Sequence, residues 1–148
     1  MLNVYWGIPI APLTEEEMGI CTEKLGFRDC KTYLNWVEGN VYVTLADKTY
    51  AFSGHEDKVE PIYYKLKALF KENNIHLKEV GIRDVVYCAT VRTPINMATF
   101  AQKNALSPFT EVKIGDAKVS FDTDGFYVTW RGRIDIEAVK AKALAMIA

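Results

Sequence analysis

Apolar residues alternate with polar ones in some stretches of this chain and recur every three or four positions in others, and the two periods mark out strands and helices. Leu2 to Ile10 is rich in β-branched and aromatic residues and runs into Pro9 and Pro12, as a strand entering a loop does. A helix is expected next. Thr14 and Glu17 have capping-box spacing, Leu13 and Met18 have staple spacing, and Gly26 follows Leu25, the last apolar residue of the pattern. Met18, Cys21 and Leu25 share one face. Three strands should follow over Cys30 to Val37, Val41 to Leu45 and Thr49 to Ser53, separated by turn residues at Glu38-Gly39-Asn40 and Asp47-Lys48. The meander leads into a second helix with Val59, Ile62, Tyr63, Leu66, Leu69 and Phe70 on one side, ending at Asn73-Asn74.

The same order then begins again. Val80 to Val91 reads as a strand, and Thr93-Pro94 as the N-cap and first residue of a short third helix, which Pro108 closes. Strands are expected at Phe109 to Ile114, Lys118 to Phe121 and Phe126 to Trp130, with turns at Gly115-Asp116 and Asp122-Thr123-Asp124-Gly125. The last helix, capped by Asp135, buries Ile136, Val139, Ala143 and Ile147.

Paired landmarks keep a near-constant interval. Asn3 and Asp84 open the first strands, Thr14 and Thr93 cap the first helices, Gly54 and Gly132 close the meanders, and Leu66 and Leu144 lie in the long helices; the separations are 81, 79, 78 and 78 residues. Four signals holding one period imply an internal duplication. The expected architecture is α+β, one domain over residues 1–148, made of two tandem β-α-β-β-β-α repeats (1–76 and 77–148). They pair about a pseudo-twofold axis into one curved, saddle-like antiparallel sheet with the helices on its convex side. The other sheet face is then open, and a broad apolar and aromatic face in water calls for a partner.

Composition sharpens this. With 148 residues and 49% hydrophobic content the chain closes one substantial core. A net charge of −1 supplies no general attraction for polyanions, so any nucleic-acid contact is local. Residues 1–74 carry eight Lys/Arg against eleven Asp/Glu and residues 75–148 ten against eight, which makes the second half the more anion-friendly. Three cysteines, Cys21, Cys30 and Cys88, form no CxxC pair and fit a reducing compartment. No run of eighteen apolar residues is long enough to span a membrane, and the first residues lack a charged leader, so an intracellular protein is expected.

Three stretches together carry a family likeness. They are VYVTLADKTYAFSGHEDKVEPIYYKLKALF, VGIRDVVYCATVRTPINMATFAQKN and AKVSFDTDGFYVTWRGRIDIEAVKAKALAMI, and in order and spacing the chain resembles the core domain of TATA-box-binding proteins over essentially its whole length. The resemblance implies a DNA-binding basal transcription factor of archaeal or viral type, working in an archaeal cytoplasm or an infected host cell. It also implies A·T-rich duplex as ligand, transcription initiation proteins as further partners, a monomer or weak dimer, and no cofactor. In that family strand phenylalanines wedge into base steps of a widened minor groove, where buried apolar contact offsets unstacking. Paired asparagines near the pseudo-dyad bond to bases. By this likeness Phe109 and Phe121 match the wedge pair of the second repeat. Leu45 matches one wedge of the first, with its fellow near Asp29 or Phe27. Asn3 matches one central asparagine and Asp84 stands in place of the other. Tyr5, two residues beyond Asn3, and Val86, two beyond Asp84, join the expected DNA-contacting set. Arg28, Lys31, Lys48, Lys113, Lys118 and Arg131 are the rim cations, enough for about four to six phosphates.

Two residues speak for another partner. A carboxylate at Asp84 faces the acceptor-only A·T minor groove with acceptors of its own, and Tyr5 replaces a small residue near the groove floor. Both suit a protein-binding module on the same fold. An enzyme on this scaffold is the third reading, but the chain holds no P-loop, no GxGxxG after a strand, no HExxH and no nucleophile elbow. Asp122-Thr123-Asp124-Gly125 resembles the start of a calcium loop without its later ligands and reads as a hairpin turn. His55-Glu56-Asp57 suits a helix N-terminus, and Glu15-Glu16-Glu17 a solvated first turn.

Overall fold

The computed structural model describes residues 2–107 and 111–148, which divide at Val85/Val86 into two compact units. In the first, β1 (Asn3–Pro9), α1 (Glu15–Lys24), β2 (Arg28–Asp29), β3 (Leu34–Glu38), β4 (Val41–Leu45), β5 (Thr49–His55) and α2 (Glu56–Glu72) follow one another. Its strands lie antiparallel in the order β2-β3-β4-β5-β1. The second begins within β6 (Asp84–Arg92), and from Val86 on this strand, α3 (Met97–Lys103), β7 (Glu111–Ile114), β8 (Ala117–Asp122), β9 (Gly125–Trp130) and α4 (Ile136–Ile147) give the antiparallel order β6-β9-β8-β7. Leaving β2 aside, each unit returns the last strand of its meander beside its first strand. Both are therefore wound alike.

Local chemistry sets the element ends. Thr14 and Glu17 close the capping box: the Glu17 amide donates to Thr14 Oγ1 at 3.1 Å and the Thr14 amide to Glu17 Oε1 at 3.0 Å. α2 ends where Asn74 turns left-handed at φ 58° and the Asn73 side chain donates to the Leu69 carbonyl. The third helix starts later than its Thr-Pro signal suggested. Thr93 and Ile95 still donate to the Asp124 and Thr123 carbonyls of the β8–β9 hairpin, at 3.0 and 3.1 Å. Asn96 is the N-cap instead, accepting from the Thr99 amide. The strand expected from Cys30 is likewise interrupted. Asp29 Oδ1 accepts from the Lys31 amide, Lys31 sits at φ 73°, and the chain turns before β3. Residues 77–83 pack on the first unit, with the Val80 amide donating to the Pro9 carbonyl and the Ala11 amide to the Lys78 carbonyl. The glycines paired by sequence differ too: Gly54 lies inside β5, whereas Gly132 follows β9 at φ 78°.

Each core sits between its helices and one face of its strands. In the first unit Phe52 packs edge-on against Trp6 and Tyr63, and Tyr50 lies 4.6 Å from Phe52. In the second unit Phe100 from α3 lies 4.4 Å from Phe121, which lies 5.5 Å from Phe126. The Asn104 amide ties the end of α3 to α4 through the Met146 carbonyl. α4 buries Val139 and Ala143 but only half-buries Ile136 and Ile147, and Leu144 is exposed where Leu66 of α2 is fully covered.

Candidate nucleic-acid interface

Strand parity decides which residues leave the core. A strand sends successive side chains to opposite faces. In β1, Val4, Trp6 and Ile8 point to the helix side, so Asn3, Tyr5, Gly7 and Pro9 share the other face. The register carries that face across the sheet: Tyr5 opposes Ser53, Ser53 opposes Tyr42, and Tyr42 opposes Val37. Tyr5, Tyr42 and Val37 are 42%, 55% and 49% exposed. The next row runs Gly7, Ala51, Thr44, Asn35 and Arg28. The Tyr5 ring lies over Gly7, where an added Cβ would stand 3.2 Å from its Cε1. The second unit repeats the scheme with Thr90, Tyr127, Ser120 and Glu111 in one row and Cys88, Thr129, Lys118 and Lys113 in another.

The residues expected to contact DNA therefore divide. Asn3, Tyr5 and Arg28 lie on the uncovered face of the first unit and Val86, Lys113 and Lys118 on the uncovered face of the second, while Asp84, just before the division, has the strand parity of Val86. Lys48 is exposed in the β4–β5 turn and Lys31 in the β2–β3 turn. Two expected wedges are core residues instead. Leu45 is 1% exposed and shares its face with Val41 and Val43; Phe121 is 3% exposed between Phe100 and Phe126. Phe27, the other candidate of the first repeat, is buried against Trp36 and Phe70. Phe109 lies outside the described residues.

Tyr42 and Tyr127 were missed, although their sequence signal is plain. VYVTL in β4 and FYVTW in β9 each set a tyrosine and a threonine between apolar residues at period two. Lys113 and Lys118 oppose each other across β7 and β8, with Glu111 3.9 Å from Lys118. Like charges directly opposite are unfavourable unless an anion lies near.

The remaining candidate chemistry is structural. Asp122 Oδ1 accepts from the Asp124 and Gly125 amides, which makes the calcium-like segment an Asx-type hairpin turn. Among the described residues no group of three or more His, Cys, Asp or Glu is placed to hold a metal. The three cysteines are free; burial pushes the Cys21 thiol up to about 11, the nearby Glu17 carboxylate adding to the shift. No helix among the described residues is long and apolar enough to cross a membrane.

No protein-family model matches the sequence, and no curated protein is significantly similar to it. The structure does find a relative in shape. It is similar to Methanococcus jannaschii TBP, with a TM-score of 0.54 and 14% identity, over 99% of this chain and 95% of that one. The fold is thus α+β and TATA-box-binding-protein-like.

Proposed function

We propose that this chain binds duplex DNA through its uncovered sheet faces, as a transcription-factor-like protein reading an A·T-rich minor groove. The observation that carries the reading is the pair of helix-free strand faces, which present Tyr5, Tyr42, Asn3 and Tyr127 with Arg28, Lys113 and Lys118 on a TBP-like fold. The chemistry suits an A·T minor groove, whose edges offer only acceptors. Tyrosine hydroxyls and the Asn3 amide are donors, and Lys113, with Lys118 beside Glu111, offers positive charge to phosphate. The reading treats the two units as copies within one domain, acting as a monomer or weak dimer in a reducing, intracellular setting alongside initiation proteins. Burial of Leu45, Phe121 and Phe27 leaves these positions unable to wedge, so contact through them involves no base-step intercalation.

A salt-titrated gel shift comparing A·T-rich with G·C-rich duplex tests it. Tighter binding to the A·T-rich duplex is expected, with a log–log salt slope of about −4 to −5 for about four to six phosphates. The double change Lys113→Gln, Lys118→Gln should lower that slope by about 2. No binding at low salt, or a slope indifferent to both lysines, overturns the reading. The second reading is a protein-binding module, and Asp84 together with the buried wedge positions favours it. Tyrosine-rich faces serve protein interfaces as well. That reading gains if DNA binding fails while Tyr5→Ala or Tyr42→Ala abolishes capture of an initiation protein.

A further inference from the structure

A cavity of about 470 Å³ opens on the helix side of the first unit, away from the faces assigned to DNA. Its deep wall is apolar, built from Phe70, Ile75 and Tyr50, all buried. Exposed Lys67, Lys71 and Lys78 stand at the mouth, and none of them forms an ion pair with a described residue. The acid in the lining is already engaged: Glu79 accepts from the Tyr63 hydroxyl and lies 3.9 Å from Arg83, whose guanidinium stacks on Tyr63 and Trp6. The three lysines are therefore open to a ligand's negative charge. The Tyr50 side chain lines the cavity at 2% exposure, and its hydroxyl is closed from solvent with no hydrogen-bond partner. An unpaired buried hydroxyl costs stability that a Phe at the same place does not.

We propose that this cavity is a binding site for a small amphipathic anion: an apolar, aromatic-sized body against Phe70 and Ile75, a carboxylate or phosphate at Lys67, Lys71 and Lys78, and a hydrogen-bond acceptor at the far end for Tyr50. The volume lies within the range of small-molecule sites, about 300–1,000 Å³. Apolar walls with a few directed polar groups are what such sites use for affinity and orientation. Burial holds the Tyr50 phenol well above its ordinary range, so it stays a neutral donor at physiological pH. An acceptor on the ligand gives the Tyr50 hydroxyl the partner it lacks in the free chain. This site is independent of the DNA reading and stands or falls without it.

Three fluorescent probes separate the parts of the proposal by titration and calorimetry on the full chain: 6-hydroxy-2-naphthoate, 2-naphthoate without the distal hydroxyl, and 2-naphthol without the carboxylate. One-to-one binding of 6-hydroxy-2-naphthoate below about 1 mM is expected. Lys67→Gln with Lys71→Gln should weaken both carboxylates by about tenfold and leave 2-naphthol unchanged. Tyr50→Phe should weaken 6-hydroxy-2-naphthoate and 2-naphthol, which carry the distal hydroxyl, leave 2-naphthoate unchanged, and raise the melting temperature of the free protein, because the orphaned hydroxyl is gone. The proposal is overturned if no probe binds, if all three bind alike in every variant, or if Tyr50→Phe lowers the melting temperature and leaves binding unchanged.

Discussion

Replacing Phe121 by Ala tests whether this ring is core or contact surface. The ring is 3% exposed, with Phe100 of α3 at 4.4 Å on one side and Phe126 of β9 at 5.5 Å on the other. Truncation removes a buried aromatic and leaves a cavity that α3 and the sheet can close only in part, which costs about 3–5 kcal/mol. Loss of two ring pairs falls within that range. At about 2–4 °C per kcal/mol for a chain of this size, the melting temperature should drop by about 6–20 °C. The control is Tyr42→Ala at a 55% exposed position, where about 1 kcal/mol or less is at stake. Urea unfolding should be followed by both tryptophan fluorescence and far-ultraviolet circular dichroism, because two compact units need not melt together. A Phe121→Ala protein destabilised by under about 1 kcal/mol, yet impaired in DNA binding, would refute the core assignment and restore the wedge.

Three further outcomes are expected. Gly125→Ala should destabilise the second unit by about 3 kcal/mol or more, since the residue sits at φ 146° and an added Cβ would stand 2.0 Å from the Val91 carbonyl oxygen; unchanged urea midpoints would contradict this close approach. Asp84→Asn should tighten binding to A·T-rich duplex in the gel shift by removing a negative charge and adding a donor, and a variant that binds no better places Asp84 away from the groove. The buried Cys21 thiol makes stability fall with alkali: it stays protonated in the folded chain to about pH 11, whereas the unfolded thiol ionises near about 8.5. Its contribution is complete below about pH 8.5 and disappears towards about pH 11, so Cys21→Ala should flatten the loss of urea midpoint over that window.

Much of the fold was legible because its signals are local. The Thr14–Glu17 box, the Asn73-Asn74 stop and the alternation of β4 and β8 each act within a few residues. The third helix was placed early because Thr93-Pro94 has the chemistry of a cap, and only the long-range bonds to the β8–β9 hairpin show that the chain is still extended there. The wedge positions failed for a different reason. Likeness to a family located Leu45 and Phe121, yet Val41, Val43 and Leu45, like Ala117, Val119 and Phe121, obey a period of two that assigns them to the covered side. Parity along one strand was the better guide than correspondence across a family. The cavity beside Tyr50 carried no signal at all, because it depends on α2 and the segment after it meeting over β5.

The strict parity of β4, β8 and β9 also means that two messages are interleaved in one string of letters. Every second residue maintains the interior, while its neighbours are free to drift without loosening it. Substitutions at Tyr42, Thr44, Lys118, Ser120, Tyr127 and Thr129 therefore leave the buried side of these strands untouched. The same separation makes these positions a ready palette for selecting new specificities in the laboratory.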